Sequence, residues 1–180
     1  RFGRMKSRIG VGLIGFGTVG TGVAKVLIEN ADVIRRRVGV PVELLRIADL
    51  DIIRDRGVAV PPGVLTTDVK QVLADPAIDI VIELVGGYDF AKRVILEAIA
   101  AGKHVVTANK ALLALHGEEI FAAAEARHVD LGFEASVGGG IPVIRALTEG
   151  LAANHIESIY GIINRSEEHT SELQSHLNLV

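Results

Sequence analysis

The chain has 180 residues, of which 49% are apolar and 23% charged, with a formal net charge of −3 and no cysteine. That balance excludes a disordered polyelectrolyte, and the missing thiols exclude disulfide frameworks, thiolate zinc sites and cysteine nucleophiles together. Slight acidity and only 4% aromatic residues argue against a nucleic-acid surface. No apolar run reaches the ~18 residues of a membrane span, because Asp79 and Glu83 interrupt Ile78–Val85. The first apolar stretch, Ile9–Ile14, carries Gly10 and Gly12, so no signal peptide is expected and the chain reads as a soluble, cytoplasmic domain.

In chain order, Met5 is the expected start, with Arg1–Arg4 upstream of it. Arg8–Ile14 reads as a buried strand, and Val19–Glu29 as a helix packing through Val19, Val23, Val26 and Leu27. Arg35–Pro41 reads as a solvated basic turn region, Pro41–Ala48 as a second strand ending at Asp49, and Arg54–Val64 as a loop. Asp68 is placed to cap a short helix through Leu73, which Ala74-Asp75-Pro76 then breaks. Ile78–Val85, rich in β-branched residues, is the strongest strand, and Phe90–Ala101 an amphipathic helix stopped at Gly102. There follow a strand over Lys103–Thr107, a helix over Gly117–Arg127 and a strand over Val129–Glu134. Pro142 suits the first turn of a helix running to Gly150, and Ile156–Ile163 begins another strand.

Alternation of this kind, with nearly continuous apolar strands, predicts an α/β fold: a doubly wound parallel sheet covered by helices on both faces. The expected organisation is a dinucleotide-binding domain over 5–150 and only the start of a second, substrate domain over 151–164. Residues 165–180 change abruptly in composition. Arg165–His176 reads as the in-frame translation of a common sequencing adapter, so 165–180 is expected to be a non-native tail on a fragment of a longer protein.

Gly15-Phe16-Gly17-Thr18-Val19-Gly20 is G-x-G-x-x-G, set between an apolar strand and a helix. In that setting Gly15 permits the tight turn, Gly17 lets the backbone approach a pyrophosphate, and Gly20 lets helix and strand pack closely. The helix start offers amide donors and partial positive charge to phosphates. A Rossmann-like cofactor loop is the expectation; a plain glycine turn is the alternative. Asp49, at the end of the second strand, holds the place of the acidic residue that accepts the adenosine ribose hydroxyls, although it lies farther from Gly20 than the usual ~20 residues. A carboxylate there repels a 2′-phosphate, which leans the preference toward NAD over NADP, and Arg46 or Arg54 is placed to offset it. The other reading of Asp49 is a simple turn residue.

Three further strand ends carry polar or glycine-rich sequence. Val85–Gly87, after Glu83, should border the nicotinamide ribose, since ligands of such sheets bind beyond the carboxyl ends of the strands. Glu83 itself is read either as part of that crevice or as an acceptor of nearby backbone amides. Asn109-Lys110, after the next strand, is suited to orienting a substrate carbonyl or shuttling a proton, with a plain surface lysine as the alternative. Gly138-Gly139-Gly140 lies in a segment whose main-chain carbonyls suit a hard cation and whose amides suit an anion. No histidine pair has metal-ligand spacing.

The ordered segments GFGTVGTGV, ELVGG, VVTANKALLA and FEASVGGGIPVI closely resemble the homoserine dehydrogenase family, across essentially all of Met5–Asn164. The resemblance implies an NAD- or NADP-dependent oxidoreductase interconverting aspartate 4-semialdehyde and homoserine, on the route to threonine, methionine and isoleucine. Carried over residue by residue, it implies that Phe16, Thr18 and Val19 line the pyrophosphate. Lys110 becomes the catalytic lysine beside the nicotinamide. Glu134, Val137, Gly139 and Ile141 become the positions that hold a monovalent cation, sodium in the family. It also implies a small-molecule substrate, no nucleic-acid or membrane partner, and a homo-oligomeric full-length protein. The family's Gly-Thr-Thr-Asn-Tyr segment has no counterpart after Asn164, nor has its second catalytic lysine, so the chain as given is expected to be inactive. Another Rossmann oxidoreductase acting on a small amino acid or sugar, or a non-catalytic dinucleotide-binding module, is the competing reading. Sugar oxidoreductases usually carry a Lys-Pro pair where this chain has Asn109-Lys110, and sensors usually add a basic helix-turn-helix that is not seen here.

Overall fold

In the computed structural model, which describes residues 6–138 and 140–159, β1 (Ile9–Ile14) lies in the middle of a six-stranded sheet of order β3-β2-β1-β4-β5-β6. The other strands are β2 (Val42–Ala48), β3 (Leu65–Thr66), β4 (Ile80–Glu83), β5 (His104–Thr107) and β6 (Leu131–Gly132), and every pairing is parallel. Strand order reverses between β1 and β4, so helices after β1 and helices after β4 cover opposite faces. Successive residues of β1 show it: Leu13 joins one buried cluster with Phe16, Ala24 and Ile47, while Ile14 joins the other with Val81, Val94 and Leu112.

The helices are α1 (Thr18–Glu29), α2 (Ala31–Val38), α3 (Lys70–Leu73), α4 (Asp89–Ala100), α5 (Lys110–Arg127), α6 (Glu134–Val137) and α7 (Val143–Arg145), the last running into a wide turn over Ala146–Gly150. α4 forms as its apolar spacing requires. Ala91, Val94, Ile95, Ala98 and Ile99 make a buried stripe, and the larger three contribute about 1.5–3 kcal/mol each on burial. Gly102, at φ 74°, follows it in the left-handed region and donates its N–H to the Ile99 carbonyl at 2.9 Å.

Several elements differ from the sequence expectation. The arginines of 35–37 are not a turn but the last turn of α2, where they meet the negative helix end opposite Asp32 in the first. α2 buries no residue, so no apolar period announced it. In α1 the face toward the sheet is Gly20 and Ala24; of the expected stripe Val23 and Leu27 are half-buried, while Val19 and Val26 are more than half exposed, because close approach favours small residues. α5 begins at Lys110, seven residues ahead of the expected start at Gly117, because Asn109 caps it through a bond from the Leu112 N–H at 3.1 Å. The strand expected over Val129–Glu134 shrinks to Leu131–Gly132, with Glu134 opening α6. Of the strand expected over Ile156–Ile163, residues 156–159 are irregular and the rest lie outside the described residues, as do 165–180. Among the described residues, no helix is long and apolar enough to cross a membrane.

Candidate functional site

The carboxyl ends of β1, β2, β4 and β5 converge where the strand order reverses. β1 runs into the glycine loop, whose geometry explains two of its three glycines. Gly15 sits at φ 98°, and a Cβ there would lie 2.7 Å from the Leu84 carbonyl oxygen, so only glycine fits beside the end of β4. A Cβ on Gly20 would lie 2.0 Å from the Gly15 carbonyl oxygen, which is how α1 comes so close to β1. Gly17 faces open space. It is also the N-cap of α1, with no side chain capping it and no acidic residue in the first turn. The amides that open α1 therefore keep their hydrogen-bonding capacity, and the positive helix end is left for an anion.

Phe16 and Asp49 depart from the simplest expectation. The Phe16 ring is buried in the core, 3% exposed, and its N–H donates to Asp49 Oδ2 at 2.5 Å. Asp49 Oδ1 accepts from the Asp51 N–H at 2.9 Å and from the Arg56 guanidinium at 3.4 Å. Asp49 thus stands at the end of β2 as anticipated, but fastened to the glycine loop and charge-paired. The charge partner is Arg56; Arg46 and Arg54, expected to offset the repulsion of a 2′-phosphate, form no ion pair with Asp49 among the described residues. Arg46 donates instead to the Gly63 carbonyl, and Arg54 is exposed.

Glu83, fully buried, takes the amide-accepting role. Its Oε1 receives the N–H groups of Val85 (2.8 Å) and Gly86 (3.2 Å), and its Oε2 receives the Thr107 hydroxyl (2.7 Å). Thr107 Oγ1 accepts the Asn109 N–H at 3.0 Å, and Asn109 Nδ2 donates to the Gly87 carbonyl at 2.7 Å. One chain of bonds therefore fixes the turn Val85–Gly87 against the start of α5. Thr107, which sequence reasoning passed over, joins its halves; only its place at a strand end beside Asn109 could have signalled it. Lys110, exposed in the first turn of α5, puts a cation at the positive end of a helix, a placement that costs stability and that fold alone would not favour.

The glycine-rich segment after β6 lies beside this edge, and Ser136 donates its hydroxyl to the Thr107 carbonyl at 2.9 Å. Both carboxylate oxygens of Glu134 accept main-chain N–H groups, from Ile144 (2.9 Å) and Arg145 (3.1 Å), so this side chain caps α7. Val137 is half-buried, Ile141 is exposed with its carbonyl accepting from the Val143 N–H at 2.8 Å, and Gly139 lies outside the described residues. Both Glu134 oxygens and the Ile141 carbonyl thus each accept a main-chain N–H.

Comparison with known proteins bears on the same elements. Residues 15–134 match the family profile described as the NAD-binding domain of homoserine dehydrogenase. The chain is similar to the homoserine dehydrogenase of Bacillus subtilis, 45% identical over 156 residues, covering 87% of this chain and 36% of that protein. The Pseudomonas aeruginosa homoserine dehydrogenase is 50% identical over 154 residues, covering 86% and 35% respectively. Among solved structures, the Thiobacillus denitrificans homoserine dehydrogenase superposes with a TM-score of 0.76 at 52% identity, over 83% of this chain and 35% of that one. The chain thus spans about a third of the length of the relatives it matches.

Proposed function

We propose, from the premise that this chain belongs to the homoserine dehydrogenase family through its NAD-binding domain, that its parent protein is an NAD(P)-dependent oxidoreductase interconverting homoserine and aspartate 4-semialdehyde. The observation that carries this reading is the uncapped start of α1 standing next to the Glu83–Thr107–Asn109 chain at the strand-order reversal. In this reading the open amides of Gly17, Thr18, Val19 and Gly20 receive the pyrophosphate, and Gly15 keeps the turn tight beneath it. Asp49 faces the adenosine ribose, and Val85 and Gly86 border the nicotinamide ribose. When bound, the nicotinamide supplies or accepts the hydride. Lys110 donates to the substrate oxygen and holds or moves its proton, while Asn109, pinned to Gly87, fixes where α5 and that lysine begin. A monovalent cation at Glu134, Val137, Gly139 and Ile141 is proposed as a structural support for the segment beside the site and enters no step.

Holding the substrate in near-attack geometry requires groups to grip its ammonium and carboxylate. We assign these to the length that the relatives have and this chain lacks, beginning within 151–164. The parent is proposed as a cytoplasmic homo-oligomer, and 165–180 as a tail foreign to it. The test extends the reading frame in the source genome past codon 164, purifies the product and follows nicotinamide absorbance with homoserine. Homoserine-dependent reduction is expected from the extended protein and none from the 180-residue chain. Activity on another alcohol but not on homoserine overturns the assignment.

A further inference from the structure

Arg56, in the loop between β2 and β3, turns inward, as do the apolar Val60 and Val64 of the same loop. Its side chain is 13% exposed, whereas Leu50 and Ile53 in the same loop are almost fully exposed. The guanidinium lies 5.1 Å from the centre of the Phe16 ring, donates to the Asp51 carbonyl at 2.8 Å and reaches Asp49 Oδ1 at 3.4 Å. Its Nε is buried with no partner among the described residues. Burying a cation and leaving one of its donors unpaired is costly, so the arrangement needs a return elsewhere.

That return lies in what the three groups connect. Asp49 holds the Phe16 N–H through one carboxylate oxygen and Arg56 through the other, while Arg56 covers the Phe16 ring. The loop after β2 and the glycine loop after β1 are joined by this triangle. We propose that Arg56 is a positioning residue for dinucleotide binding: it holds the Asp49 carboxylate on the Phe16 amide and thereby sets the glycine loop in its phosphate-binding shape. It acts through Asp49 and Phe16, not by touching a 2′-phosphate. The inference rests on the reading of this edge as the dinucleotide site.

The two roles give different signatures. A direct 2′-phosphate ligand would affect NADP binding and leave NAD untouched, because NAD has no phosphate there. A residue that shapes the shared loop affects both cofactors by the same factor. The test uses the full 180-residue chain and measures NAD and NADP dissociation constants by calorimetry for the unaltered protein, Arg56→Gln, Arg56→Lys, Asp49→Asn and the double variant Asp49→Asn/Arg56→Gln. Circular dichroism checks that each is folded. Arg56→Gln is expected to weaken NAD and NADP equally, by about tenfold, the effect of losing one charge-assisted hydrogen bond. Arg56→Lys, which keeps the charge beside Asp49 but loses the guanidinium over the Phe16 ring, should recover part of that loss. The double variant should bind no more weakly than Asp49→Asn alone, since that substitution already removes the charge through which Arg56 acts on the glycine loop. Loss confined to NADP, unchanged binding of both, or full additivity in the double variant overturns the proposal. Should Arg56→Gln fail to fold, Arg56→Lys is judged by the same equality of the two factors. If the unaltered chain binds neither dinucleotide, the dinucleotide reading of the site fails first and this inference falls with it.

Discussion

At the amino-terminal edge of the sheet, polar groups are consumed within the protein; at the carboxyl edge, part of them is left open. Ahead of β5, Lys103 is buried at 5% exposure, and its ammonium donates to the carbonyls of Asp75 (2.6 Å) and Ile78 (2.8 Å). Burial pushes this lysine below its ordinary value, against the pull of Asp75 and Asp79. Ahead of β4, Asp79 accepts the Gly10 N–H at 2.9 Å and the Lys6 ammonium. These bonds clip the strand entrances together. At the carboxyl edge Glu83 and Asp49 are equally occupied, but what they hold are loops, and those loops present the uncapped start of α1 and the exposed Lys110. Charge closes the structure at one edge and shapes loops at the other, so substitutions at the two edges should separate stability from binding.

The largest effect is expected at Gly20, where the carboxyl edge depends on close backbone contact. A valine there drives its Cβ into the Gly15 carbonyl, against main chain that cannot yield without moving β1 or α1. Gly20→Val should destabilise the domain by about 3 kcal/mol or more and abolish dinucleotide binding, as read by urea unfolding and calorimetry. A variant folding with native stability would mean that α1 does not lie this close to β1.

Lys103→Met tests the other edge. Methionine fills much of the same volume, but two carbonyls lose their donor, at about 1–3 kcal/mol, partly offset because an ammonium no longer has to be buried. Stability should fall by about 1–2 kcal/mol, with dinucleotide affinity unchanged in the molecules that remain folded. Weakened binding without loss of stability would contradict the division between the edges.

How far the sequence anticipated these edges depends on how local each signal is. The glycine loop was legible because strand, G-x-G-x-x-G and helix are contiguous, and the parallel sheet because its strands are apolar nearly throughout. Glu83 was legible only as two alternatives: the amides it accepts, from Val85 and Gly86, lie in the turn just after it, but its other partner, Thr107, lies twenty-four residues on. The Asp49–Arg56 pair escaped because three arginines near Asp49 look alike in a sequence and only the path of the loop selects one. The valine stripe of α1 misled for a related reason: burial there is set by how near the helix must come, and nearness favours Gly20 and Ala24 over larger apolar residues. The helix beginning at Lys110 was hidden because its start is marked by a cap and not by an apolar period.

The smallest predicted effect concerns pH at the amino-terminal edge. Burial alone would raise the Asp79 carboxyl, but the hydrogen bond from Lys6, the Gly10 amide and the nearby Lys103 charge outweigh it and hold the group below its ordinary value. A carboxyl lowered in the folded state gives stability that is fully present above its unfolded value of about 4, and loses it as pH falls through the folded value. Asp79→Asn keeps an oxygen for the Gly10 N–H but removes the charge, and with it the dependence. The urea midpoint of the unaltered chain should therefore fall more steeply than that of Asp79→Asn between pH 6 and pH 3 on this account, the two converging at the acid end. The difference near neutrality should be about 1 kcal/mol or less, since Lys6 is an exposed partner and salt screens it. Added salt should narrow the gap further. Parallel midpoint curves across that range would show that the Asp79 charge contributes nothing to closing this edge, leaving the Gly10 bond and the buried ammonium of Lys103 to do so.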